Sequence, residues 1–253
     1  DQAPLSLCNY EWGSAIRADA ALLGAKVMLT GQSGNMTISY DGWPRLPTLL
    51  RQGLFREWLQ ESAALKRRGN AHWRGILVQS LAPFLPATVW RQINAWRGRG
   101  VRNLQDYTAI HRDFIQRTDL YERARAADWD LSYRPWANGW QMRTAVFYRL
   151  DNGDHFATSV ANDGIEIRDP CGDLRVVNFC LAIPDAQYLK NGRPRWLLQR
   201  LMRGILPPEI MASKTRGLQA ADWYEGATAA KDAIGKWLNR LDASLNSHFH
   251  LIR

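Results

Sequence analysis

The stretch Lys26 to Gly42, KVMLTGQSGNMTISYDG, constrains what this chain can fold into more than any other. Val27, Met28 and Leu29 form an apolar run without alternation, the pattern of a parallel strand covered on both faces. The run stops in a turn of small polar residues, Thr30, Gly31, Gln32, Ser33, Gly34 and Asn35. Such a turn lies beyond the carboxyl end of its strand, where ligands sit in open α/β sheets, and its glycines let a ligand approach the backbone closely. Upstream, residues 10–23 carry apolar side chains at helical spacing and end at Gly24, a candidate C-cap. Helix, glycine, strand and glycine turn make the second half of a βαβ crossover, whose first strand is expected before Asp1. The expected fold is therefore α/β but predominantly helical.

Downstream of the turn the pattern is helical with interruptions. Helices are expected over Thr48–Lys66, around Ile76–Ala95 and over Asp106–Asp128, separated or broken at Gly69, Pro83, Pro86, Gly98 and Gly100. Trp58, Trp73, Trp90 and Trp96 lie among them, and at this spacing they read as core residues rather than stacking platforms for bases. Residues 139–150 give another helix, and the glycine-rich polar run from Asp151 to Asp173 reads as a long loop. His155 with Asp151 and Asp154 is a single histidine among turn residues, which reads as structural or solvated. Further helices are expected over Arg175–Ala182 and Trp196–Arg203, after Pro207-Pro208, and over Ala227–Leu245. The pattern divides into an α/β part, residues 1–45, a helical part, 46–150, and a part of loops and carboxyl-terminal helices, 151–253.

The chain has 253 residues and a formal charge of +9 at pH 7, which favours anionic ligands such as nucleotide phosphates, nucleic acid or acidic protein surfaces. Its three cysteines, Cys8, Cys171 and Cys180, form no CxxC pair, which argues against a disulfide framework and a thiolate zinc site and fits a reducing cytoplasm. No apolar run reaches the roughly 18 residues of a membrane span, and no charged-then-apolar leader opens the sequence. The first residue is Asp, so a processed or partial chain is expected.

Two blocks resemble the synthetase domain of the asparagine synthetase family. VMLTGQSGN followed by SYDG is similar to that family's "vLLTGxGxDE…GGY". The block from Gly164 to Gln219 is similar to its "vExRxPFLDrrlvefalsLPxelklrdGrtKylLRralrgxLPxevlxRxKxGF". Matching positions are Arg168-Asp169-Pro170, Asp173, Pro184, Gly192, Leu197-Leu198, Arg200, Leu206-Pro207 and Gly217. The resemblance implies a remnant of a parallel-sheet, adenine-nucleotide α-hydrolase-like fold with a large helical portion. It also implies ATP and Mg2+, adenylation of a carboxylate such as aspartate with release of pyrophosphate, and attack by an amine to form an amide. Thr30, Gly31, Gln32 and Ser33 would shape the nucleotide turn, Asn35 would orient a metal-bound water or phosphate, and Lys214 and Arg216 would meet pyrophosphate or the acyl-adenylate.

The sequence departs from that pattern in three places. The family's SGGxDS loop is absent and would lie upstream of Asp1, so the isolated chain is expected to be inactive. Asn35 stands where the family has an aspartate, and brings an oxygen but no charge to a metal. Thr215 stands at the family's catalytic lysine, flanked by Lys214 and Arg216. The combination TGQxGN, SYDG and RGLQAADW resembles a branch containing lasso-peptide cyclases, which would take a precursor peptide and a leader-binding partner. A glutaminase domain is the other partner the family implies, and a non-catalytic scaffold is a third reading. Arg168 and Asp173 are expected to pair across the Pro170 loop and fix it. Nucleic acid ranks last among partners, because no recognised motif accompanies the charge.

Overall fold

The computed structural model describes residues 7–97, 110, 112–150, 153, 157, 160, 161, 164–212 and 223–236; for residues 7–11 and 223 it describes the backbone alone. Helix α1, Leu7–Leu22, leads through Gly24 into strand β1, Val27–Leu29, and then into a 3-10 turn, Gln32–Met36. There follow α2 (Arg45–Arg51), α3 (Phe55–Arg67), α4 (Trp73–Leu81), α5 (Ala87–Trp96), α6 (Arg112–Arg117), α7 (Leu120–Ala126) and α8 (Gly139–Arg149). Strand β2, Glu166–Arg168, precedes a second 3-10 turn, Pro170–Gly172. The chain continues through α9 (Leu174–Ala182), α10 (Trp196–Leu201), α11 (Pro208–Ala212) and α12 (Trp223–Ala229). The fold is predominantly helical with one small sheet, in which β1 and β2 run parallel and pair Val27 with Glu166, Met28 with Ile167 and Leu29 with Arg168.

Several boundaries differ from those of the sequence pattern. The helix expected over Thr48–Lys66 is broken between α2 and α3, where Gly53 and Leu54 turn back onto α2: Leu54 donates its N–H to Leu49 at 2.9 Å. The Ile76–Ala95 segment is divided by the prolines at 83 and 86, and the Asp106–Asp128 segment breaks at Asp119, which has φ +47°. Strand β2 falls inside the stretch that reads as a loop; three residues are too few for a periodicity to register. Val27 and Leu29 are 39% and 69% exposed, so β1 is not covered on both faces among the described residues. Trp58 and Trp90 do serve the interior, whereas Trp73 and Trp96 are exposed. His155, Asp151 and Asp154 lie outside the described residues, as does the Ala227–Leu245 helix beyond residue 236.

The described residues group into two compact units, one within Asp1–Leu81 and Trp136–Lys214, the other within Ala82–Pro135 and Thr215–Arg253. In the first, Leu46, Leu65, Ile76 and Leu189 form a fully buried cluster backed by Trp43, Trp58 and Ala71. Side chains of that size each contribute roughly 1.5–3 kcal/mol when removed from water. Beside it in sequence, Tyr40 and Tyr188 meet edge-on with ring centroids 5.0 Å apart, and Arg143, 1% exposed, lies over both rings. The second unit is held by Trp90, whose indole N–H donates to the Ser132 carbonyl at 3.1 Å, and by Arg134, which bonds the Leu85 carbonyl and pairs with Asp130.

Candidate functional site

The parallel pairing of β1 and β2 brings the residues after each strand together. Thr30 donates its N–H to the Arg168 carbonyl at 2.8 Å, so the strands end side by side and their 3-10 turns meet. Asp169 joins them. Its Oδ2 accepts the Ser33 N–H at 2.7 Å and its Oδ1 accepts the Cys171 N–H at 3.1 Å. The fit is close: a Cβ on Gly172 would come within 3.2 Å of Ser33 Oγ, and one on Gly34 within 3.8 Å of Cys171 Sγ. Within the first turn, Thr37 Oγ1 donates to the Ser33 carbonyl at 3.0 Å, and the Gly34 carbonyl accepts the N–H groups of Thr37 and Ser39.

The turn thus has a fixed side and an open side. Ser33 and Gly34 are buried and held, while Gly31 and Gln32 are exposed, with nothing within 4 Å of where a Gly31 side chain would begin. At the junction sits the Thr30 hydroxyl, buried and without a hydrogen-bond partner among the described residues. A buried unpaired hydroxyl costs free energy that a ligand can recover. Thr30 Oγ1, the Gly31 backbone and the Gln32 amide are the polar groups available at this end of β1.

The donor set does not fit a strongly held divalent cation. Asn35 is exposed, and its Oδ1 accepts a hydrogen bond from Ser39 Oγ at 3.3 Å. Both Asp169 oxygens are taken by amides, and among the described residues no group of three or more His, Cys, Asp or Glu side chains is assembled. Lys214 and Arg216 lie outside the described residues.

The pair expected between Arg168 and Asp173 does not form. Arg168 binds Glu166 two residues back, at 2.8 and 2.9 Å, while Asp173 caps α9 through the Arg175 N–H and pairs with the Arg175 guanidinium. Alternation along β2 puts Glu166 and Arg168 on the same exposed face, which makes the local pair the shorter reach. These contacts hold the Glu166 carboxyl below the usual range and Asp173 at about 2. Asp169, not Asp173, fixes the Pro170 loop. Its signal in the sequence is an aspartate directly before Pro170, a position suited to capping the next turn. Burial and the Asp169 charge push the Cys171 thiol up, which keeps it protonated and unreactive beneath the turn.

Residues 16–250 match the asparagine synthase family. The chain belongs to that family. Membership supports an ATP-dependent, ligase-type function and use of ATP as the nucleotide, in agreement with the open turn after β1. Neither the curated proteins nor the solved structures contain a match to the chain. No described helix is long and apolar enough to cross a membrane.

Proposed function

We propose that this asparagine synthase family chain is part of a domain that activates a carboxylate with ATP for amide-bond formation, the nucleotide resting on Thr30, Gly31 and Gln32, and that turnover requires an SGGxDS loop beside it, so that the isolated chain binds ATP without completing the reaction. A carboxylate oxygen would attack the α-phosphorus with loss of pyrophosphate, and an amine would then displace AMP from the acyl carbon. The observation that carries the reading is the buried, unpartnered Thr30 hydroxyl at the end of β1, beside an open Gly31. Ser33 contributes by holding the turn to Asp169 rather than by offering its N–H to a ligand. Magnesium is proposed to arrive on the nucleotide phosphates, with Asn35 as a neutral contact. Lys214 and Arg216 are the proposed cations for the departing pyrophosphate. Cytoplasmic location is proposed on the free thiols of Cys171 and Cys180.

A second reading, isopeptide closure of a precursor peptide, is supported by the exposure of Gly31 and Gln32, which leaves room for a large acyl substrate. Titration calorimetry with ATP tests the common step. Thr30→Val removes one hydrogen bond of about 1 kcal/mol and should weaken binding about fivefold. Equal ATP affinity of parent and variant would remove the turn from the site, and no ATP binding at all would leave a non-catalytic scaffold. Pyrophosphate release with aspartate and ammonia, against release with an acidic peptide, separates the two acyl substrates in a chain that carries the SGGxDS loop, and neither release is expected from the isolated chain.

A further inference from the structure

A second surface of the first unit lies on the last turn of α3 and the hairpin that precedes α10. The hairpin is a two-residue turn in which Lys190 and Arg193 exchange both backbone hydrogen bonds, at 3.2 and 3.0 Å. Its central residues, Asn191 and Gly192, have φ of +51° and +68°, the combination that a type I′ turn requires. Glu61 on α3 holds it, accepting the Asn191 N–H through Oε1 and the Gly192 N–H through Oε2, each at 2.9 Å. Arg68 Nε donates to the Asn191 carbonyl and Asn70 Nδ2 to that of Gly192, both at 2.8 Å.

This scaffold brings two runs of cations together. Lys66, Arg67 and Arg68 stand exposed at the end of α3, and Lys190, Arg193 and Arg195 stand on and after the hairpin. Glu61, the acid that holds the hairpin, is buried and already bonded to Arg45 at 2.8 Å. Among the described residues no carboxylate lies within ion-pair reach of any of these six cations. Arg195 is moreover held at φ +57°, a left-handed conformation that is unfavourable for a non-glycine residue. The hairpin and the end of α3 thus carry their cations on one scaffold, joined where Arg68 bonds the Asn191 carbonyl, with no described carboxylate paired to them.

We infer that this surface docks an acidic polypeptide segment, its carboxylates bridging the α3 cations and those of the hairpin. Arginine's planar fork matches a carboxylate at two points, and a preorganised platform loses little entropy on binding. A single-stranded nucleic acid would need uncovered aromatic faces among the cations. The ring within this surface, Trp196, is half-buried and has the Arg193 guanidinium over it at 5.3 Å. The inference stands apart from the nucleotide turn and holds whether or not ATP binds there.

Fluorescence anisotropy with a labelled deca-glutamate peptide, at low salt and at physiological salt, tests it. Lys66→Ser with Arg67→Ser should weaken binding at least tenfold at low salt. The pair Lys231→Ser with Lys236→Ser, which removes the same net charge elsewhere, should change it less than twofold. Matching circular dichroism melts show that both variants fold. A labelled ten-nucleotide oligothymidylate should bind more weakly than the peptide. Equal losses in the two variants would reduce the effect to net charge, and tighter binding of the oligonucleotide would replace the peptide with nucleic acid; either overturns the inference.

Discussion

Asp169 shows how one carboxylate can organise a site that it need not touch chemically. Its oxygens hold the Ser33 and Cys171 amides, and without them the turn after β1 loses its anchor to β2. Asp169→Ala is expected to lower stability by about 1–3 kcal/mol, the cost of part-buried amides left unpaired, with Asp169→Asn between the two. Chemical denaturation measures the loss, and faster hydrogen exchange at Ser33 locates it. Burial raises the Asp185 carboxyl above the usual range, outweighing the opposing Arg143 and Arg45 guanidiniums. The folded protein therefore binds this proton more readily than the unfolded chain, so Asp185 weakens stability as pH rises above the ordinary carboxylate range. Asp173 acts in the opposite sense: its carboxyl, held at about 2, adds stability that is present above the ordinary value and lost as pH falls through 2. Thermal melts from pH 3 to 7 should show Asp185→Asn gaining on the parent as pH rises. A constant difference would mean that the proton is not linked to folding.

At the scale of elements, hairpin and helix are fitted with little tolerance. A Cβ on Gly192 would lie 2.3 Å from the Ala64 carbonyl carbon, so the hairpin backbone touches the α3 backbone. Gly192→Ala should destabilise by about 2–5 kcal/mol, combining left-handed strain with overpacking. Gly53 has the same sign of φ, at +72°, but open space around it, so Gly53→Ala should show the strain alone, about 1–2 kcal/mol. Urea unfolding of the two variants separates the terms. The Asn191-Gly192 pair is a local signal for a tight turn, but from the sequence Gly192 is identified only as a position similar to the family's pattern, and the hairpin goes unread. That the hairpin lands on α3, with Glu61 bonding its amides, was not legible in sequence, because residues separated by about 130 positions leave no local pattern.

At the scale of the whole molecule, the net charge of +9 and the family's nucleotide point the same way, toward anionic ligands. Binding to the folded chain alone must stabilise all of it that folds cooperatively. ATP at a hundred times its Kd should raise stability by about 2.7 kcal/mol, read as an upward shift in Tm, and the shift at the same ATP concentration should shrink in Thr30→Val. No shift at saturating ATP would contradict nucleotide binding.

By itself the sequence determined the family, the helical bulk, the strand at Val27–Leu29 and the polar turn after it, because these are local patterns of spacing and residue type. Tertiary structure alone decided which strand lies beside Val27–Leu29, that Asp169 rather than Asp173 fixes the facing loop, and that Thr30 keeps a buried hydroxyl unpaired. It also decided that the end of α3, with Lys66–Arg68, lies against the hairpin of Lys190–Arg193. The reason is physical: hydrogen bonds and like-charge encounters depend on distance through space, and residues 136 positions apart, such as Ser33 and Asp169, become neighbours only when the chain has folded.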